Sequence, residues 1–262
     1  MERQIILLTD FGTKDPYVGM MKGVITTISQ NTKIIDLTHE IEAGNIKEAS
    51  YILSSSYQYF AQGSIFAVVV DPGVGSSRKP IAIKTDNYFF VGPDNGIFTH
   101  TLNNIENLLE VVELNNEDLH LKKRSHTFHG RDIFAPTAAY IANNIPLHNL
   151  GSKIDKEDLI KLPDLKLEIS DKIITAEIIH FDRFGNIITS IPTDTIKGKS
   201  VKEVQTGSIK TANYKRTFAD VSPGELVAYP GSSGYIEIAV RNGNAYEEYK
   251  IKKTEPVKIS FF

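Results

Sequence analysis

The 262-residue chain contains no cysteine. That absence excludes disulfides, thiolate metal sites and cysteine nucleophiles at once, and it fits a reducing compartment. A long basic block is also missing and the formal net charge is -3, so nothing favours a nucleic-acid surface. Long hydrophobic runs are lacking too. The apolar stretch Ile5 to Leu8 stops at Thr9-Asp10, far too short for a signal-sequence core or a membrane span. A cytoplasmic protein with no membrane and no nucleic-acid partner is expected. The seven histidines show no paired ligand spacing, so no metal is expected either. No internal repeat or low-complexity segment breaks the chain.

What is present is ordinary globular usage, 41% hydrophobic and 23% charged, in a length that suits one large domain or two. Ile5-Ile6-Leu7-Leu8 reads as a strand buried on both faces, as in a parallel sheet. Helical periodicity follows over Tyr17 to Ser29, then a short strand at Lys33 to Leu37 and a helix over about Ile46 to Tyr59. Ser64 to Val70 is a second strongly apolar strand. Ile81 to Lys84 and Tyr88 to Val91 form a hairpin pair. Ile133 to Asn143 reads as a further helix with Asp132 as its N-cap. This alternation predicts an α/β N-terminal domain with a largely parallel sheet over residues 1–165.

The pattern changes after about Leu165, across the charged stretch Lys153 to Lys166. Short strands are expected at Lys172 to His180, Asn186 to Ile191, Ser200 to Glu203, Leu226 to Tyr229, Tyr235 to Val240 and Ala245 to Lys250, with no intervening helix. Residues 166–262 therefore read as a small all-β domain, a barrel or sandwich.

In open α/β sheets, ligands bind beyond the carboxyl ends of the strands. Asp10 and Asp71 both stand at such ends, although either could simply cap a turn. Asp71 opens the run Asp-Pro-Gly-Val-Gly-Ser-Ser-Arg, from which Arg78 can return a guanidinium to the carboxylate. The run lacks the lysine and spacing of a phosphate loop. His129, in Phe128-His129-Gly130-Arg131-Asp132, sits in a Gly-flanked loop at a helix entrance, a place suited to acid–base or electrostatic work. In the second domain, His180 to Asn186 interrupts two strands with two phenylalanines, more than a turn requires, which suggests adenine stacking. Pro230 to Tyr235 is a second such loop.

Taken in order, Thr9-Asp10-Phe11-Gly12, Asp15, Tyr17-Val18-Gly19, Lys22-Gly23, Asp71-Pro72-Gly73-Val74-Gly75, Gly92-Pro93-Asp94-Asn95-Gly96, Phe128-His129-Gly130-Arg131-Asp132, Asp182-Arg183-Phe184-Gly185-Asn186 and Ser232-Ser233-Gly234-Tyr235 resemble the S-adenosylmethionine (SAM) hydrolase, or SAM hydroxide adenosyltransferase, family, relatives of the fluorinase and chlorinase. The resemblance covers nearly the whole chain. It implies attack of a water-derived nucleophile on ribose C5′ of SAM, giving adenosine and methionine. It also implies a homotrimer, with each site between the N-terminal domain of one subunit and the C-terminal domain of its neighbour. SAM is then the substrate and no cofactor is needed, because the sulfonium already leaves as a neutral thioether.

Position by position, the resemblance implies that Asp71, Arg78 and His129 hold and polarise the water, with Asp71 as the base. Asp10 would grip the ribose hydroxyls, with Asp15 among the substrate-binding residues. Asn186 would read the adenine edge beside a stacking Phe184. Asp182 would receive the methionine ammonium, and Ser232 and Ser233 the carboxylate. Ser233 stands where the fluorinase has an arginine. Glu237 and Val240 are expected as further contacts, Val240 through its backbone. Two alternatives remain: halide transfer to SAM, and a nucleoside- or SAM-binding module without turnover. A carboxylate in the pocket repels a halide, and the fluorinase has a tyrosine where Asp71 stands and a serine where Gly130 stands. The expectation is therefore hydrolysis, of either sulfonium diastereomer, including preference for the non-biological one.

Overall fold

The computed structural model describes residues 3–262, which divide into two compact units, the first ending at Leu162 and the second spanning Pro163–Phe262. The first unit runs β1 (Gln4–Thr9), α1 (Tyr17–Ile28), β2 (Lys33–Thr38), α2 (Ile46–Ser56), β3 (Ile65–Val69), β4 (Pro80–Thr85), β5 (Phe89–Pro93), α3 (Thr99–Leu102), β6 (Leu108–Glu113), α4 (Ala135–Ala142) and β7 (Ser152–Lys153). Its seven strands form one sheet in the order β2-β1-β3-β5-β4-β6-β7. β2, β1, β3 and β5 pair in parallel, whereas β4, β6 and β7 are added antiparallel. The expected hairpin is the β4–β5 pair.

The apolar runs alternate between two cores, as the two-residue period of a strand demands. Ile5, Leu7, Ile65, Ala67 and Val69 pack on one face with Met21 and Ile25 of α1 and Ala138 of α4. Ile6, Leu8, Phe66, Val68 and Val70 pack on the other with Ala49 and Leu53 of α2. Because α1 and α2 cover opposite faces, the chain leaves β1 on one side and enters β3 from the other. The gap between the ends of β1 and β3 is a topological switch point, where doubly wound sheets bind ligands.

The expected N-cap at Asp132 is a correction. Gly130–Phe134 is a π-helical turn leading into α4. Pro136 has no N–H to give to the carbonyl of Asp132, and Leu121 N–H supplies that bond instead, at 3.0 Å. The Asp132 side chain, fully buried, accepts from Ser125 N (2.7 Å) and Arg131 Nε (2.6 Å) rather than from the helix.

The second unit comprises β8 (Leu167–Ile169), β9 (Ile173–Ala176), β10 (Ile178–Phe181), β11 (Ile187–Pro192), β12 (Val201–Thr206), β13 (Ile209–Thr211), β14 (Leu226–Pro230), β15 (Tyr235–Val240), α5 (Ala245–Tyr249) and β16 (Val257–Phe261). Two antiparallel sheets, β13-β12-β16-β9-β8 and β10-β11-β15-β14, enclose a single core that draws Ile174, Val204 and Ile259 from one and Ile178, Ile187 and Ile238 from the other. The single strand expected over Lys172 to His180 is broken at Glu177, where the chain passes from the first sheet to the second. The strand expected over Ala245 to Lys250 is also corrected: it is the short helix α5. Asn244 caps it by accepting from Glu247 N at 2.9 Å, and Lys250 ends it in the left-handed region (φ 51°). That local cap outweighs the alternation read from Ala245, Tyr246 and Tyr249.

Candidate active site

β1 and β3 are in register, Thr9 opposite Val69, so Asp10, one residue beyond Thr9, and Asp71, two residues beyond Val69, both emerge at the switch point and line one cleft. The side chain of Asp10 accepts the Gly44 N–H at 2.8 Å. Burial pushes its carboxyl above the ordinary value; the Gly44 amide opposes this and the nearby charge of Asp71 adds to it. Beneath Asp10, the buried Thr9 Oγ1 lies 2.9 Å from His39 Nδ1, and Gly12 N–H bonds the His39 carbonyl at 2.7 Å. This ties the β1–α1 loop to the end of β2.

After Asp71 the chain makes a tight excursion. Gly75 adopts φ 78°, and a Cβ there would stand 2.7 Å from the His126 carbonyl, so only glycine fits. The excursion brings Arg78 back onto Asp71. Arg78 Nε donates to Oδ1 and Oδ2 at 3.0 and 2.9 Å, and Nη2 also bonds Oδ2. Both side chains are under a tenth exposed (8% and 6%), so the pair is held nearly out of water. The Arg78 guanidinium also lies 5.3 Å from the ring centre of Phe134.

Arg78 Nη2 stands 2.7 Å from Nδ1 of His129. A guanidinium has no acceptor, so Nδ1 must accept and the ring proton belongs on Nε2. Burial lowers the His129 pKa, the charge of Arg78 lowers it further, and Asp71 opposes. The imidazole is thus neutral, with Nε2–H as a donor. One arginine joins the carboxylate to the histidine, and all three sequence-predicted residues form a single hydrogen-bonded chain.

A cleft of about 480 Å³ is lined by Asp10, Gly44, Asp71 and His129 together with the rings of Phe11, Tyr17 and Phe128. The rings form a mutual cluster, with centres 5.2–5.9 Å apart. Gly130 admits them: a Cβ there would lie 3.2–3.3 Å from carbons of Phe128 and Phe11. Asp15 is exposed ahead of α1 and does not line this cleft. Among the described residues, no group of three His, Cys, Asp or Glu side chains is arranged to hold a metal ion, and no helix is long and apolar enough to cross a membrane.

The second unit carries its own polar set along the four-stranded sheet, with Asp182 and Asn186 at the β10–β11 turn, Glu237 within β15, and Ser232 and Ser233 at the β14–β15 turn of the opposite end. Asp182 accepts from Phe184 N (2.9 Å), Asn186 N (2.8 Å) and Asn186 Nδ2 (2.8 Å), which fixes the amide of Asn186. Glu237 faces Tyr229 across the β14–β15 ladder and accepts its hydroxyl at 2.9 Å. Burial pushes the Glu237 carboxyl up; Tyr229 opposes this and the charge of Asp182 adds to it. Burial and the Glu237 charge likewise raise Tyr229. Phe184 is 74% exposed. Ser232 is exposed, whereas Ser233 Oγ is buried with no hydrogen-bond partner among the described residues. The Val240 side chain belongs to the core, and its carbonyl accepts Gly243 N–H at 3.1 Å.

Both units match one family: residues 5–151 match the SAM hydroxide adenosyltransferase N-terminal domain and residues 176–258 its C-terminal domain. The chain belongs to the SAM hydroxide adenosyltransferase family. Within reach of this family, the (R)-S-adenosyl-L-methionine hydrolase of Thermus thermophilus is 33% identical over 98% of this chain and 99% of its own length. The structure of an uncharacterized conserved protein from Thermotoga maritima is similar with a TM-score of 0.90 and 38% identity, covering 98% and 100%. The fluorinase of Actinopolyspora mzabensis is 24% identical over 98% and 96%. Several residues lie outside the set given site roles from the sequence: Gly44, Phe11, Tyr17 and Phe128 on the wall of the cleft and, separately in the second unit, Tyr229 beside Glu237. Gly44 sits in an unremarkable loop with no motif. Tyr229 was legible only as a strand residue, since its hydroxyl becomes relevant through cross-strand pairing.

Proposed function

We propose that this chain hydrolyses S-adenosyl-L-methionine at ribose C5′, giving adenosine and L-methionine. The observation that carries this reading is the Asp71–Arg78–His129 chain beside Asp10 at the switch point. Arg78 holds Asp71 and His129 in one geometry, so a carboxylate acceptor and an Nε2–H donor can address the same water from two sides. The water oxygen bonds C5′, the C5′–S bond breaks with its electron pair passing to sulfur, and the proton of the water is taken up through Asp71. Sulfur leaves as a neutral thioether, so neither a metal nor a cofactor is required in this scheme. The aromatic wall keeps bulk water away from the reacting centre.

In the same proposal Asp10 binds the ribose hydroxyls, Asn186 the adenine edge with Phe184 stacking, and Asp182 the methionine ammonium with Glu237 beside it. Ser232 and Ser233 take the carboxylate, and Val240 contributes through its backbone. The exposed Phe184 and the unpartnered Ser233 Oγ support these roles. We infer a homotrimer in which the second-unit residues of one copy complete the cleft of another, and a cytoplasmic location consistent with the absence of cysteine. The name of the Thermus relative supports the (R) sulfonium as the preferred substrate. The negative charge of Asp71 speaks against halide transfer.

The test is prolonged incubation with each sulfonium diastereomer separately, followed by chromatography for adenosine. Adenosine above the spontaneous rate is expected. Tight adenosine binding with no release above that rate would replace the enzyme with a binding module. Light scattering tests the assembly, and a stable, active monomer would refute it.

A further inference from the structure

The run Gly92-Pro93-Asp94-Asn95-Gly96 lines no part of the cleft, yet two adjacent residues in it grip the loop that carries Asp71 and Arg78. Asn95 Nδ2 donates to the carbonyl of Val70 at 3.0 Å. Asp94 N donates to the carbonyl of Lys79 at 2.8 Å. Val70 immediately precedes Asp71 and Lys79 immediately follows Arg78. The catalytic loop is therefore held at both ends by neighbouring residues of one turn.

The turn is itself over-determined. Asn95 Oδ1 accepts from Ile97 N at 3.2 Å, so the amide cannot flip without losing both bonds. The Asp94 side chain, only 5% exposed, accepts from Ile160 N at 3.0 Å. Thr99 Oγ1 donates to Gly96 O (2.7 Å) and accepts from Leu162 N (2.9 Å). Within the loop, by contrast, the backbone bonds are short and local, such as Val74 N to Asp71 O at 3.2 Å and Ser76 N to Gly73 O at 3.0 Å. The loop has glycines at 73 and 75, and its side-chain anchor is the Asp71–Arg78 pair itself. A rigid turn thus fixes the end points of a pliable loop.

We propose that Asn95 is a positioning residue of the reaction: through the Val70 carbonyl it sets where the Asp71 carboxylate stands relative to Arg78 and His129. This rests on the hydrolase reading for its kinetic consequence, but not for its structural one. A displacement of about 1 Å at a reacting group costs on the order of 100-fold in rate, so loss of this anchor should fall mainly on kcat.

Asn95→Asp keeps the shape and the acceptor for Ile97 but has no N–H for Val70; Asn95→Ala removes both. The expected result is a fall in kcat of about tenfold or more with KM within about threefold. In an Asp71→Asn background the same substitution should cause no further loss, because Asn95 acts through Asp71. A readout without turnover is the Arg78 Nε–H signal in two-dimensional NMR of the full chain, assigned by its disappearance in Arg78→Lys; it should shift or broaden in Asn95→Asp. If the parent protein releases no adenosine, the hydrolase reading fails while the Arg78 signal still decides the anchor. An unchanged kcat and unchanged Arg78 signal, or an additional tenfold loss in the Asp71→Asn background, would overturn the proposal.

Discussion

Replacing Asp71 by Asn changes one atom in the most heavily bonded group of the cleft. The carboxylate takes three contacts from Arg78 while only 6% exposed. An amide offers one oxygen and one NH2, so an Arg78 N–H is left facing another donor. The stability cost lies between about 1.5 kcal/mol, for one lost charge-assisted bond, and roughly 3–5 kcal/mol, for a broken buried pair. The rate cost is that of a positioned base, about 10²–10⁴-fold, or on the order of 3–5 kcal/mol of barrier. Asp10 and the second-unit residues are untouched, so KM should move little. The assay is adenosine release at saturating substrate for each diastereomer, with calorimetry to show that the variant is folded at the assay temperature. Full-rate hydrolysis by Asp71→Asn would remove Asp71 from the chemistry. An unchanged kcat with a raised KM would make it a binding residue instead.

His129 gives a pH prediction. Its pKa lies below the ordinary histidine value, and protonation would place a hydrogen on Nδ1, where Arg78 now donates. kcat/KM should fall on the acid side with a midpoint below about 6.5, and His129→Gln should remove that limb. The linked stability is present above the ordinary value, where both states are neutral, and is lost as pH falls through the lowered folded value, because the unfolded chain binds the proton first. Glu237 has the opposite sign. Its raised carboxyl contributes stability below the ordinary carboxylate value and loses it as pH rises through the folded value. Glu237→Gln, which still accepts from Tyr229, should raise Tm at pH 7, with a gain that shrinks as pH is lowered; KM for the substrate should rise. In the core, Leu7→Ala at a fully buried position of β1 should cost about 2–5 kcal/mol in urea unfolding. A loss under about 1 kcal/mol would mean the two-sided core collapses around the gap.

Much of this was legible in the amino-acid order because the strongest signals are local. Ile5 to Leu8 and Phe66 to Val70 are apolar at every position, which only a strand covered on both faces requires, and the Asp after each run lands at the switch point. Arg78 returning to Asp71 follows from the glycines between them. What escaped turns on single bonds or single residues, some local and some distant. The π-turn before α4 depends on a bond from Leu121 to the carbonyl of Asp132. The α5 helix hides in an alternating pattern because one Asn side chain sets the backbone. Glu177 breaks a run of apolar residues that otherwise reads as one strand, and the break is where the chain changes sheets. Gly44 and Asn95 serve the site through a single N–H each, which no residue pattern encodes.

The π-helical turn at Gly130–Phe134 carries a consequence for how such proteins diverge. A π-turn is an α-helix with one extra residue, inserted just after His129. Deleting one residue from it would close the turn to ordinary α-helical register ahead of α4. The same deletion would turn His129 by about 100° around the axis and draw it along by about 1.5 Å, out of register with Arg78. The histidine's placement is therefore encoded in a residue count rather than a residue type. A single-codon deletion could silence the site in a protein that still folds, and sequence comparisons that score substitutions alone would pass over it.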